Sequence, residues 1–520
     1  MKKLKNLGIG LLSLVIMLTL ISLPVTAESK SPDNDLVVAL QADATNLDPH
    51  VSGNGISNLM TLAMYETLIY FDENLKLQPR LAESWEMSDD GMQYTFKLRQ
   101  GVKFTDGEPF NAEACVANYV RGRDDESLRV HSRMAAIADM KSVDEYTLLV
   151  TLAKADNTFL NKFSQVTFVS PKAIKELGKE GLAKKSAGTG PFILDERVDG
   201  GYTKMVRNEN YWGEGPKVDS LTFKVVPEDG ARMAMLKTGE ADIIYPVPPT
   251  HVKQLESEDG IKIHNMEGLV YRYVTLNNNY TLKDGRKPLS DIRVRQAMNW
   301  AFDSEAYCQV VFQGYATPPN SVFAGPVPYH ADQEPYIKNL EKAKELMAEA
   351  GYEDGFDIDI WCDNTTIEMK GAEFVKQQLS EININVNLKA MESTTIADMT
   401  AEPEDKTEVQ MWYVNWMSGS YEADGSMRNI LHSEYFPPKG YNTAFWVNKD
   451  FDKDLDDALV ETDADKVTKL YADAQAVAWK ECPWMFLGVD NSIFAEHDYV
   501  SGVAYMPGGH MDFTKVVLDH

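Results

Sequence analysis

Between residues 356 and 388 the apolar positions change period twice. Phe356, Ile358 and Ile360 alternate with Asp357 and Asp359, the two-residue period of a half-buried strand. Met369, Ala372, Val375 and Leu379 then recur at helical spacing, and Ile382, Ile384, Val386 and Leu388 return to alternation. Strand, helix and strand over this length predict a βαβ unit with parallel strands and a right-handed crossover. A helical stripe through Leu340, Ala343, Leu346, Met347 and Ala350 precedes it and stops at Gly351. Another, through Val467, Leu470, Tyr471, Ala474, Val477 and Ala478, starts at Thr462 or Asp463 and is halted by Pro483. The region from 280 to 485 therefore reads as an α/β lobe.

The earlier half has a different rhythm. "MQYTFKLRQGVKFTDGEPF" (92–110) alternates and then turns at Asp106-Gly107, as a β-hairpin would. "EYTLLVTLAKA" and "SLTFKVVP" read as further strands, so this half is α+β with much antiparallel sheet. A chain of 520 residues exceeds one hydrophobic core, and two or more lobes are expected.

The first residues bear on the compartment. Lys2, Lys3 and Lys5 precede an apolar run from Leu7 to Leu23, and Val25-Thr26-Ala27 offers small residues for cleavage. This is the layout of a secretory signal peptide, residues 1–27, cleaved after Ala27 for export to the periplasm. No Cys stands near the cleavage point to carry a lipid, and no later stretch nears the length of a membrane span. The formal charge of −28 repels phosphate backbones, which makes nucleic acid a poor partner. Cys115, Cys308, Cys362 and Cys482 are scattered without metal-ligand spacing and read as buried free thiols.

Motifs of catalysis are missing: the chain has no H-E-x-x-H, no G-x-x-x-x-G-K-[ST], no G-x-S-x-G and no G-x-G-x-x-G. "SAGTGPF" (186–192) lacks the Lys of a phosphate loop and reads as a tight turn. Carboxylate pairs such as Asp89-Asp90 and Asp456-Asp457 are common in a chain this acidic and read as solvated faces. No metal site or cofactor is expected. Only His432, beside Ser433 and Glu434, sits in a suggestive cluster.

Several stretches together resemble a known family. They are "ATNLDPH" (44–50), "YETLIYFDENLKLQPRLAESWEMSDDGMQYTFKLRQGVKFTDGEPFNAE" (65–113), "AGTGPFIL" (187–194), "RNENYWG" (207–213), "MLKTGEADI" (235–243) and "DIRVRQAMNWAFD" (291–303). In this order they look like the family 5 extracellular solute-binding proteins of ABC importers. The C-terminal half is most similar to the glutathione-binding subgroup, through "GYATPP" (314–319), "VQMWYVNWMSGSYEADGSMRNIL" (409–431), "PPKGYNTAFW" (437–446) and "LYADAQAVAWKECPWMFLGV" (470–489). It departs from that subgroup at Gly425, where an aromatic usually follows Glu-Ala-Asp.

The resemblance implies an α/β bilobal periplasmic-binding-protein clamp, type II and cluster C-like, with an inserted subdomain at about 48–180. The first lobe would span 28–284, the second 285–485, and the chain would return to the first over 486–520. It also implies a monomer, not an enzyme, that captures glutathione or a similar short peptide and delivers it to ABC permease subunits. General dipeptide or oligopeptide binding, or nickel-chelate binding, is the alternative within the family.

The segment 418–446 is the candidate ligand clamp. In the resembling peptide binders a carboxylate here pairs with the ligand's amino group, which nominates Asp424, with Glu422 second. Trp412, Trp416, Tyr441 and Trp446 flank it, and aromatic walls suit a desolvated pocket. Arg272 and Arg428, with Arg121 a further option, are the cations for ligand carboxylates, because a guanidinium reads a carboxylate bidentately. Tyr271, Tyr273 and Asn277 to Asn279 would add hydrogen bonds. Arg272 would equally serve as a staple between the lobes.

Overall fold

A computed structural model describes residues 34–51 and 54–519. The expected signal peptide lies outside the described residues. A large mixed sheet of eleven strands dominates. Its order begins Ile384–Met391, Phe356–Asp363, Met411–Trp416, Ile261–Leu276 and Trp484–His497. It continues through Ile243–Tyr245, Asp35–Leu40, Ser220–Val225, Tyr202–Arg207 and Phe192–Val198, with Ala316–Thr317 paired to Trp484–His497.

The βαβ unit forms as its periodicity requires. Phe356–Asp363 pairs in parallel with Ile384–Met391, and the helix Thr366–Ser380 connects them. The last helix of this half, Ala464–Glu481, is capped by Asp463, whose side chain accepts the N–H groups of Asp465 and Lys466. In the two long central strands, alternation sends side chains to opposite faces. Val274, Leu276, Met485 and Leu487 join a core with Met298, Tyr307 and Ile360. Tyr271, Tyr273, Trp484 and Phe486 join another with Met427, Trp446 and Tyr471. At these central strands the sheet is therefore buried on both faces, while the outer strand Ile384–Met391 leaves one face exposed.

The other half is built around antiparallel pairing. A separate four-stranded sheet, ordered Ala82–Met87, Gln93–Leu98, Thr147–Leu152 and Ile137–Asp144, covers a core of Phe96, Phe110, Phe159, Phe163 and Phe168. The stretch 92–110 differs from a single hairpin. Gln93–Leu98 pairs with Ala82–Met87 and Thr147–Leu152 instead of with its own continuation. Gly101, at φ 77, turns the chain away. Residues 102–110 then close a small loop of their own around Asp106-Gly107, with Phe110 N–H donating to Val102 O at 3.0 Å.

Ile261–Leu276 and Trp484–His497 cross from one half to the other as a continuous antiparallel pair. Their register breaks between Glu267 and Val270 and again between Arg272 and Tyr273. At the first break Gly268 passes so close that a Cβ would lie 2.4 Å from Asp490 O. All four cysteines are buried and free. Among the described residues, no helix is long and apolar enough to cross a membrane.

Candidate functional site

Three of the quoted motifs meet at one carboxyl. Glu66 is buried and receives Thr189 Oγ1 at 2.8 Å, Tyr211 OH at 2.8 Å and Trp212 Nε1 at 2.7 Å. Arg80 approaches to 3.9 Å. Burial raises the Glu66 pKa, against the pull of Arg80 and these donors. Thr189 reaches Glu66 because "AGTGPF" lies flat on the chain at Met64. A Cβ at Gly188 would stand 2.2 Å from Met64 O. Glycine at 188 thus has a steric cause, the close approach to Met64, which differs from the tight turn read in the sequence.

Glu66 and Arg80 face a cavity of about 120 Å³, room for on the order of ten water molecules. Its walls come from distant parts of the chain. Residues near 49–80, 133 and 164–167 supply one side, 506–514 another, and Gly419 with Tyr421 a third. Arg80 is shared between Glu66 and Asp512, the latter at 2.7 Å, and its guanidinium lies 4.1 Å from the Tyr70 ring centre. Burial opposes the Asp512 charge, but Arg80 and Thr514 outweigh it and lower the pKa.

Tyr421 adopts φ 52, uncommon for a bulky residue, and packs edge-on against Phe71 with ring centres 5.5 Å apart. Further contacts bring the same two regions together. Gln165 donates its amide to Gly419 O, Asn157 N–H donates to Leu459 O at 2.8 Å, and Tyr471 OH reaches Asn157 Oδ1 at 3.3 Å.

The expected clamp residues are placed as follows. Glu422 caps the helix Ala423–Leu431, accepting Gly425 N–H at 2.7 Å and Ser420 OH at 2.9 Å. Burial first, and Asp424 second, raise its pKa to about 7, with Lys162 opposing. Asp424 is held by Arg428 Nε at 2.9 and 3.0 Å. Arg428 also donates to Asp456 at 2.7 Å and to Leu455 O at 2.8 Å. The structure therefore brings Glu422, Asp424 and Arg428 together, next to Tyr421.

The aromatic candidates are spread out. Trp446 is buried in the core on Phe451, Trp412 sits mid-strand opposite Thr275, and Tyr441 is 56% exposed. Trp416 donates to Gly425 O at 3.1 Å and stacks obliquely near Tyr441. Arg272 lies between Asp490 at 2.6 Å and Glu368 at 2.7 Å, tying both central strands to the helix Thr366–Ser380. Arg121 pairs with buried Asp48. Tyr271 donates to Ser321 O at 2.7 Å, Tyr273 stacks on Trp484, and Asn277 donates to Val409 O at 2.7 Å. Asn278 serves Leu276 O and Ala444 O, and Asn279 reaches Glu404 at 2.6 Å. Buried His432 stands 3.7 Å from Asp452 and 3.5 Å from Asp456.

Sequence reasoning did not single out the residues that face the cavity. The signal for Glu66 and Arg80 was present, since both lie inside quoted motifs. Arg133 and His510 lie in no motif, and their proximity is purely tertiary.

Two halves joined by a pair of long strands and closed over a charged cavity make a bilobal clamp of the periplasmic-binding-protein type. The chain belongs to the bacterial extracellular solute-binding proteins, family 5, whose model matches residues 76–437. It is 34% identical over 490 residues to the glutathione-binding protein GsiB of Salmonella typhi, covering 93% of this chain and 94% of that one. Among solved structures it is similar to the periplasmic binding protein DppA of Helicobacter pylori in complex with the peptide STSA. That match has 27% identity and a TM-score of 0.76, covering 94% of this chain and 98% of the other. HbpA2 of Haemophilus parasuis matches at 26% identity with a TM-score of 0.82, over 94% and 100% of the two chains.

Proposed function

We infer that this protein captures glutathione or a similar short peptide for an ABC importer and delivers it to the membrane permease. The observation that carries this reading is the cavity, walled by both regions of the chain and lined with charged and aromatic side chains. A site of that kind encloses a small polar ligand and excludes water around it. The similarity to GsiB supports glutathione as the ligand, and the peptide in the DppA complex favours general short-peptide binding as the second reading.

The lobes would comprise about 28–284 with 486–520, and 285–485, with the insert at about 48–180. They would hinge on the strands Ile261–Leu276 and Trp484–His497. The mature protein would begin at Glu28 and act as a periplasmic monomer without catalytic activity. N-terminal sequencing that found residue 1 retained would overturn the export step.

Thermal melting of protein stripped of retained ligand tests the ligand. Reduced glutathione at a hundredfold excess over Kd should stabilise the fold by about 2.7 kcal/mol, a shift of a few degrees. A shift with Ala-Ala and none with glutathione would replace glutathione by general dipeptides. A shift with a nickel chelate alone would move the function to metal uptake.

A further inference from the structure

The charges of the cavity are unequally compensated. Glu66, Arg80 and Asp512 satisfy one another. Arg133 does not share in this. Its Nη1 donates to Gln165 O at 2.8 Å, and among the described residues no carboxylate comes within ion-pair distance of it. Burial, aided by Arg129, lowers its pKa to about 10. A guanidinium half removed from water and lacking a counter-charge costs free energy unless an anion arrives.

Two neutral donors stand beside it. His510 is half-buried, its enclosed Nδ1 has no hydrogen-bond partner, and desolvation followed by Arg133 keeps the ring uncharged with a pKa of about 4. Its ring centre is 6.2 Å from that of Tyr421, whose hydroxyl also feels the Arg133 charge. That hydroxyl lies against Gly508, where a Cβ would come within 2.7 Å of it. All three groups line the cavity.

We propose that Arg133, His510 and Tyr421 form a carboxylate-binding subsite, which selects short peptides carrying a free carboxylate over their neutral amides. Arg133 supplies the charge and a fork of N–H donors, and His510 Nδ1–H and the Tyr421 hydroxyl complete the set. The proposal rests on the reading of the cavity as the peptide site and narrows the ligands that site accepts.

Calorimetry at pH 7 on ligand-stripped protein tests it with four probes: glutathione, glutathione diamide, Ala-Ala and Ala-Ala amide. Whichever peptide binds should bind roughly thirtyfold more tightly as the acid than as the amide. Arg133→Gln should bring the two forms within about threefold of each other, mainly by weakening the acid. Arg133→Lys, which keeps the charge and loses the fork, should fall between and serves if the first variant does not fold. Equal affinities for acid and amide would overturn the subsite while leaving peptide capture intact. Acid preference that survives Arg133→Gln would overturn it too, by locating the anion site elsewhere. Binding of Ala-Ala but not glutathione would remove only the glutathione reading, and no binding by any probe would overturn both.

Discussion

Arg428 grips Asp424 one helical turn away, with Nε 2.9 and 3.0 Å from its two carboxylate oxygens. Both side chains are nearly enclosed, at 11% and 7% exposure. Asp424 thus has its counter-charge before any ligand arrives. Asp424→Asn should lower the stability of the ligand-free protein by about 2 kcal/mol in urea unfolding, because Arg428 keeps only the more exposed Asp456. Affinity for peptide should change little. A hundredfold loss of affinity at unchanged stability would make Asp424 the ammonium anchor instead.

Glu422 gives a pH dependence of definite sign. Burial lifts its pKa from 4.5 to about 7, so between those values the folded protein holds a proton that the unfolded chain has released. Its contribution to stability is greatest below pH 4.5, declines as pH rises toward 7 and then levels off. Glu422→Gln should therefore stabilise the protein more at pH 8 than at pH 5, by on the order of 2 kcal/mol. Urea melts of both proteins at the two pH values check this. An equal effect at both would mean that Lys162 holds the carboxylate ionised.

Gly188 and Gly55 make a matched pair of alanine tests. A methyl at Gly188 would meet Met64 O at 2.2 Å, and it belongs to the segment that presents Thr189 to Glu66. A methyl at Gly55, the first residue of a helix, meets nothing within 4 Å. Gly188→Ala should cost about 3 kcal/mol or more, or prevent folding. Gly55→Ala should be neutral or stabilising by up to about 1 kcal/mol. Thermal melting of the two variants decides, and a tolerated Gly188→Ala would show that the close approach can relax.

The strands and helices were legible wherever one residue's environment repeats at a fixed spacing. Phe356 to Leu388 reads correctly because one face of each strand meets a continuous core while Asp357, Asn385 and Asn387 stay exposed. The cap reads as Thr462 or Asp463 because capping is local, and Asp463 takes it. Pairing was less legible: alternation in "MQYTFKL" marks a strand but says nothing of its neighbours, which come from residues 82–87 and 147–152. The cavity was the least legible. Arg133 and His510 are 377 positions apart and share no motif, so only the folded chain brings them to one cavity. The cluster at 422–428 was visible because its members are neighbours in sequence, and in the folded chain Asp424 pairs with Arg428 while Glu422 caps the same helix.

Contacts across the cavity hold the two lobes together. Gln165 bridges the cavity to Gly419 O, and Asn157 joins Leu459, so the form described here is the closed one. The strands that cross between lobes lose register at Glu267–Val270, opposite Asn491 and Asp490. A break in the ladder there lets the backbone bend without losing further pairs. The ligand-free protein should open about this point, and saturation with a bound peptide should compact it, which small-angle scattering reads as a smaller radius of gyration. Gln165→Ala removes one bridge of the closed form and no ladder contact. It should weaken peptide binding about fivefold, the worth of one hydrogen bond near 1 kcal/mol, while leaving the ligand-free radius unchanged. An unchanged radius on saturation of the parent protein would instead mean that the lobes are fixed and the ligand enters a standing cavity.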